Sequence, residues 1–119
     1  MFSDLTPILD NTRDSWGKKR KIILGGDFNA SFQWDDQQPG ESHRIMFERL
    51  ENFGMVDPLR EKYNQPVQTW RSSNSKKSWQ LDYVFVSNNL AERVKAVNVL
   101  YSKEIEQLSD HNPIEVIVE

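Results

Sequence analysis

The stretch KIILGGDFNA, residues 21–30, predicts a buried strand that ends in a functional turn. The glycines at positions 25 and 26 let the backbone turn sharply and approach another group closely. Asp27 and Asn29 are two residues apart, so on an extended backbone their side chains project to the same side. A carboxylate and an amide on one side suit a hydrated hard cation or a water held near phosphate. Asp and Asn also cap turns, which is the alternative interpretation.

Outward from this strand, the residue pattern predicts helices in the first part of the chain and strands in the second. The order α-β-α-α-β-β-β-β predicts an α+β fold, with one mostly antiparallel sheet and helices on one face. We expect a single domain over residues 1–119. The predicted elements are a helix from Thr6 that ends before Gly17, a strand over 21–28, a loop over 30–41, helices over 42–53 and 58–63, and strands over 67–72, 80–87, 94–101 and 113–118.

Composition narrows the class of protein. The chain has no Cys, which excludes disulfides and thiolate sites, and it has no long apolar run that could span a bilayer. Its first residues lack the pattern of a secretory signal, so we expect a cytoplasmic protein. The net charge of −3 argues against DNA binding through the overall field. Local basic patches remain at KKRK, residues 18–21, which also suits a solvated loop, and at Lys76 and Lys77.

Two further polar clusters lie at predicted strand ends. Asp82 interrupts the apolar strand QLDYVFVS, and a buried carboxylate is costly unless it has a partner. His111, in the cluster SDHNP at residues 109–113, can supply that partner through a hydrogen bond that fixes its tautomer. The other histidine, His43, has no such setting, and we interpret it as a surface or satisfied core residue.

Taken together, GGDFN, LDYVFVS and SDHNPI resemble the endonuclease/exonuclease/phosphatase superfamily, which includes deoxyribonucleases, abasic-site endonucleases, sphingomyelinases and inositol-polyphosphate phosphatases. The resemblance implies that Asp27 and Asn29 orient the attacking water and contact metal or phosphate. It implies that Asp82 pairs with His111, and that Asp110 belongs to the metal and hydrogen-bond shell. The implied cofactor is Mg²⁺, with Mn²⁺ as a substitute, and the metal residues carried over are Asp27, Asn29 and Asp110.

The resemblance covers only the C-terminal half of the family domain, whose full fold is a four-layer α/β/β/α sandwich. The family's principal metal ligand is a Glu in the other half, and no Glu precedes Asp27 here, where the acids are Asp4, Asp10 and Asp14. We therefore expect this chain alone to be weak or inactive. We also expect its open apolar sheet face to associate with itself or with the missing half.

The predicted substrate is nucleic acid. Trp70 and Trp79 flank a loop that carries Arg71 and Lys76, and aromatic side chains among basic ones can stack on bases and bind phosphates. Both Trp side chains could equally be core anchors at strand ends. The leading prediction is a nuclease that cleaves phosphodiester bonds in DNA or RNA. The alternatives are a phosphatase or phospholipase-type member of the superfamily, or a truncated association module without catalysis.

Overall fold

A computed structural model of the protein describes residues 20–31, 42–71 and 78–119. Within these ranges the strands pair antiparallel, and helices lie between most of them along the chain. The elements are β1 (Ile23–Asp27), α1 (Ser42–Asn52), β2 (Met55–Val56), α2 (Pro58–Tyr63), β3 (Trp70–Arg71), β4 (Ser78–Trp79), β5 (Asp82–Ser87), α3 (Asn88–Ala91), β6 (Val94–Val99), α4 (Lys103–Leu108) and β7 (Ile114–Val118).

Strand β5 is the centre of a three-stranded sheet in the order β1-β5-β2. Its register with β1 places Gly25 opposite Val84 and Asp27 opposite Asp82. The remaining strands form two separate ladders, β3 with β4 and β6 with β7. The antiparallel pairing expected from the sequence is therefore present, but in three ladders instead of one continuous sheet. The short elements β2, β4, α3 and α4 were not predicted, because none of them shows an apolar period or the Asp-Pro start that marks α2.

The core lies between α1 and one face of the central sheet. Phe47, 6% exposed, has its ring centroid 4.8 Å from that of Tyr83 and 6.2 Å from that of Phe85. Phe28, just beyond β1, adds ring contacts to the same two β5 residues at 5.7 and 5.5 Å. The apolar side chain of Ile45, also on α1, is 49% exposed. Phe47 occupies the buried face with its helical neighbours Met46 and Leu50.

Helix α2 begins at Pro58, as the sequence predicted, and Asp57 caps its first turn. Oδ1 of Asp57 accepts from the backbone N–H groups of Leu59 and Arg60, at 3.1 and 3.2 Å. Pro58 occupies the first helical position, where a missing N–H costs little. The helix ends at Asn64, whose φ of 55° is left-handed. This short helix is therefore fixed by its two caps.

The face of the central sheet opposite α1 is partly open. Ile23 is 57% exposed, Gly25 is exposed, and Val84 is only half-buried. The predicted first helix, most of the 30–41 loop and the tip of the 67–80 hairpin lie outside the described residues. Within the part of the chain that the structure describes, no helix has the length and apolar content needed to cross a membrane.

Candidate active site

The site begins with two carboxylates that the β1–β5 register sets side by side. Asp27 and Asp82 are cross-strand partners, and like charges in that position repel each other. His111 offsets the repulsion, since its Nδ1 lies 2.8 Å from Oδ2 of Asp82 and its Nε2 lies 3.8 Å from Oδ2 of Asp27. An ionised carboxylate only accepts hydrogen bonds, so Nδ1 donates to Asp82. The contact expected between Asp82 and His111 is present.

A third carboxylate faces the same imidazole. Oδ1 of Asp110 lies 3.7 Å from Nε2 of His111, while Oδ2 of Asp110 accepts from the indole N–H of Trp70 at 3.3 Å. The carboxylates of Asp27 and Asp110 therefore converge on one nitrogen, and that of Asp82 holds the other.

These acids decide how readily His111 carries a proton. Partial burial by itself lowers the pKa of the imidazole, but the hydrogen bond to Asp82 and the negative charges of Asp82, Asp27 and Asp110 outweigh it. The net result is a pKa above the ordinary value of 6.5. A larger fraction of His111 is therefore protonated near neutral pH than in a free histidine, and in that form Nε2 is a hydrogen-bond donor.

The turn after β1 differs from the extended backbone that the sequence analysis assumed. The strand ends at Asp27, Asn29 has a left-handed φ of 52°, and the N–H of Asn29 donates to Oδ1 of Asp27 at 2.8 Å. Strand alternation was therefore the wrong reason for placing the two side chains together. Asp27 caps the turn with one oxygen, which confirms the turn interpretation, and its other oxygen lies on the His111 side. Its contact with a cation or a water stays a prediction.

A cavity of about 440 Å³ is lined by Asp27, Asn29 and His111 together with the two tryptophans. Trp70 and Trp79 are half-buried, so they form its walls and are not fully enclosed core anchors. The lining residues are Asp27, Asn29, Ser31, His43, Trp70, Trp79, Leu81 and His111.

Sequence reasoning missed His43. Its Nδ1 lies 3.2 Å from both the backbone N and the backbone O of Ser31, so the residue is satisfied, as expected. Its place in the wall of the site cavity was not expected. No local signal marks it, because the approach of α1 to the end of β1 depends on packing across the core.

Sequence reasoning also missed Thr69, which is buried. Oγ1 of Thr69, which is fully buried, accepts from the backbone N–H groups of Leu81 and Asp82 at 3.0 and 3.1 Å. Its carbonyl accepts from the N–H of Asn112 at 2.7 Å. Thr69 thus joins the start of β5 to the segment that carries His111, and an isolated Thr in a strand gives no sign of such a role.

The predicted substrate-binding residues have different positions. Trp70 and Trp79 line the cavity, as described above. The guanidinium of Arg71 instead donates to the carbonyl of Ser109 and to Oδ1 of Asn112. Lys76 lies outside the described residues.

The donor atoms at the site fit a hard cation. Asp27, Asp82 and His111 offer atoms that all lie within 4.8 Å of one another, but Asp82 and Nδ1 of His111 already bind each other. Nε2 of His111 faces Asp27 and Asp110, whose carboxylates are 49% and 67% exposed, and the amide oxygen of Asn29 belongs to a residue that lines the same cavity as Asp27. Exposed carboxylate and amide oxygens suit Mg²⁺ or Mn²⁺, which keep several waters, better than a soft metal.

Comparison with known proteins gives a family match and a shared fold. Residues 2–115 match the sequence model of the endonuclease-reverse transcriptase family. Among curated protein sequences, none matches this chain.

Solved structures resemble the chain over nearly all of its length. They include the 3′ phosphatase NExo from Neisseria bound to product DNA hairpin (24% identity, TM-score 0.73) and the 3′-5′ exonuclease NExo from Neisseria meningitidis (22%, 0.74). An AP endonuclease from Archaeoglobus fulgidus has 20% identity and a TM-score of 0.69. Each match covers 97% of this chain and 51–52% of the other, so the chain spans about half the length of these structures. The fold class predicted from the sequence is confirmed.

Proposed function

Because residues 2–115 match its sequence model, the chain belongs to the endonuclease-reverse transcriptase family, and on that premise we propose that it cleaves phosphodiester bonds in nucleic acid. This membership agrees with the resemblance seen in the three sequence motifs. The observation that carries the proposal is the convergence of Asp27 and Asp110 on Nε2 of His111, whose Nδ1 is held by Asp82. Phosphoester hydrolysis needs a group that orients water and a group that donates to the phosphate, and this arrangement supplies both.

Asp27 is proposed to act on the attacking water. Oδ1 is engaged in the turn, and Oδ2 is the oxygen available to orient the water or accept its proton. Asn29, which lines the same cavity, is proposed to help place that water. Both residues line the same cavity as His111, so water and phosphate would share one space.

His111 is proposed to act on the phosphate. In its protonated form, Nε2–H donates to a phosphate oxygen as negative charge develops there. The carboxylate of Asp82 fixes the orientation of the ring through Nδ1 and favours the protonated state. The pair of His111 and Asp82 can therefore supply a proton near neutral pH.

Mg²⁺ is the proposed cofactor, with Mn²⁺ as a substitute, and Asp27, Asn29 and Asp110 are the residues that would hold it. When bound, such a cation supplies positive charge that offsets the charge developing on the phosphate and the leaving oxygen. With only three candidate oxygen-bearing residues proposed, we expect weak binding and low activity from this chain alone.

Nucleic acid is proposed as the substrate because two aromatic rings line the cavity and basic residues lie between them in the sequence. Trp70 and Trp79 offer ring surfaces for bases in the cavity, and Lys76 offers a charge for phosphates. One neighbouring structure is described as bound to a product DNA hairpin, which supports this class of substrate.

The open face of the central sheet is proposed to pack against the second sheet that the resemblance implies. Ile23 is 57% exposed, and the solved structures contain about as much chain again beyond the aligned part. We expect light scattering on the chain alone to show association that increases with concentration and that Ile23→Lys reduces. A discrete dimer would identify a second copy as the occupant, and a clean monomer at high concentration would count against any partner at this face.

The catalytic proposal is tested by nicking of plasmid DNA with and without Mg²⁺. We expect low, Mg²⁺-dependent activity that falls by roughly 10²- to 10⁴-fold in Asp27→Ala and in His111→Ala. Lys95→Ala is the matched control. Lys95 lies on β6, away from the cavity, and forms an exposed ion pair with Glu119.

Equal activity in all four proteins would indicate a contaminating nuclease. The absence of nicking in every protein, including the control, would contradict nuclease activity for this chain alone and favour the association module. Oligonucleotides with a 3′-phosphate, assayed in parallel, distinguish a phosphatase from a nuclease.

A further inference from the structure

Residues 109–112, which carry Asp110 and His111, are held on both sides by one arginine. Arg71 donates from Nη2 to the carbonyl of Ser109 and from Nη1 to Oδ1 of Asn112. Its backbone N–H also donates to the carbonyl of Asp110 at 2.8 Å. A single residue of β3 therefore binds the positions before and after His111.

We propose that Arg71 is a positioning residue that holds His111 in its orientation towards Asp27, and that it is not a ligand for the substrate phosphate. The inference rests on the proposed function, since it names a role in the same reaction. It departs from the sequence analysis, in which Arg71 was a substrate-binding residue.

The geometry of the guanidinium explains why an arginine is suited to this role. Its planar fork presents several N–H groups in fixed directions, so it can bind two acceptors on different residues at once. Lysine has one compact ammonium group on a flexible stem and cannot span Ser109 and Asn112 in the same way. The guanidinium carbon also lies 5.9 Å from the ring centroid of Tyr101, which adds a weak contact on a third side.

Other contacts fix the histidine only in part. Asp82 binds Nδ1, and Oγ of Ser109 accepts from the backbone N–H of His111 at 3.0 Å. The hydrogen bond from His111 to Ser109 lies within one turn, so it moves with that turn. Outside the turn, the carbonyl of Thr69 accepts from the N–H of Asn112. Arg71 connects the turn to β3, and the bridge between Trp70 and His111 lies directly beside it. The position of the imidazole relative to Asp27 therefore depends on this connection.

The test uses the imidazole spectrum of the full-length chain. Because the chain has only His43 and His111, a long-range ¹H–¹⁵N spectrum can be assigned with one variant, His43→Gln. At a pH at which the ring is neutral, we expect the wild type to show His111 in the Nδ1–H tautomer. In Arg71→Ala we expect a mixture of tautomers, with Arg71→Lys closer to Arg71→Ala than to the wild type. An unchanged spectrum in Arg71→Ala would overturn the proposal.

Arg93→Ala is the control, because Arg93 also donates to a backbone carbonyl, that of Glu119, at an exposed site on the β6–β7 ladder. We expect its His111 signals to match the wild type. If Arg71→Ala fails to fold by circular dichroism, Arg71→Lys, which keeps the charge and the stem, decides the question. A wild-type spectrum in folded Arg71→Lys would then contradict a need for the fork.

Kinetics separate positioning from phosphate binding. We expect Arg71→Ala to lower kcat by roughly 100-fold, since a small displacement of a catalytic group is costly, with little change in KM or in its salt dependence. Lys76→Ala should do the reverse, with a raised KM and a smaller salt dependence. A salt-dependent rise in KM for Arg71→Ala would restore the phosphate-binding role. If no protein has nuclease activity, the proposed function fails, while the spectrum of His111 still decides the role of Arg71.

Discussion

The two faces of β5 are built in opposite ways. On one face, Tyr83 and Phe85 are 2% and 5% exposed and pack among the rings of Phe28 and Phe47. On the other face, Val86 is buried and Val84 half-buried, and 18% of the Asp82 side chain is exposed at a water-accessible site at the end of the strand. Alternation along one strand places an aromatic core and a polar site one residue apart.

The difference lies in what holds each face. The aromatic face is stabilised by burial, which depends little on the exact direction of each contact. The Asp82 end of the other face, called the polar face below, is stabilised by directional hydrogen bonds between segments that are far apart in sequence, such as Asp82 with His111. Substitutions on the two faces should therefore separate stability from activity.

The largest expected effect is on the polar face. We expect His111→Gln to lower nuclease activity by roughly 10²- to 10⁴-fold, because the variant cannot donate a proton to phosphate at neutral pH. The melting temperature should change little, since about a third of the His111 side chain is exposed. Single-turnover cleavage and thermal unfolding measure the two quantities. Activity within tenfold of the wild type would contradict the separation of the faces.

The second largest expected effect is on the stability of the aromatic face. We expect Phe85→Ala to lower the free energy of unfolding by about 3–5 kcal/mol, because it leaves a cavity among three other rings. Urea unfolding measures this change. Under conditions in which the variant remains folded, the imidazole signals of His111 should be unchanged. Altered signals would show that the two faces are coupled.

A smaller effect is a shift in pH dependence. Partial burial lowers the pKa of His111, but the acidic neighbours raise it by more than burial lowers it. Asp82→Asn should therefore lower that pKa, because it removes the hydrogen-bonded charge. In the wild type, the resulting stability is fully present below the ordinary value of 6.5 and is lost as pH rises through the raised pKa. NMR titration without divalent metal, with unfolding measured across the same range, tests this. An equal or higher pKa in Asp82→Asn would contradict the assigned cause.

The smallest effect concerns a carboxylate with a structural role. Burial raises the pKa of Asp57, and the hydrogen bonds from Arg60 and Leu59 oppose that rise only in part. We expect Asp57→Ala to cost about 1 kcal/mol of stability through loss of the α2 cap, and Asp57→Asn to cost less, because Asn caps equally well without a charge. Because the folded-state pKa of Asp57 is raised, the wild type should gain stability relative to both variants as pH falls through that pKa. Urea unfolding at two pH values distinguishes the variants, and neither should alter nuclease activity.

Local patterns were sufficient for much of the fold. The strand before Asp27, the capped helix from Pro58 and the strands over β5, β6 and β7 all follow from apolar runs and capping residues. The apolar pattern of α1 does not show that Ile45 is exposed while Phe47 is buried, because a short helix with several apolar residues allows more than one inward face. The elements too short to have a period were missed.

The sequence by itself determined which chemical groups the site contains, because Asp27, Asn29, Asp82, Asp110 and His111 stand in motifs at strand ends. Only the tertiary structure decided their arrangement. The β1–β5 register sets two carboxylates side by side, and the contact between Asp82 and His111 joins residues 29 positions apart.

Arg71 and His43 are two residues whose positions the local sequence pattern did not reveal. A basic residue beside tryptophans predicts phosphate binding, yet Arg71 binds Ser109 and Asn112, which are 38 and 41 positions away. His43 enters the cavity wall because α1 packs against β5. A local pattern records which groups are available, whereas hydrogen-bond partners across the chain are set by how the strands and helices pack.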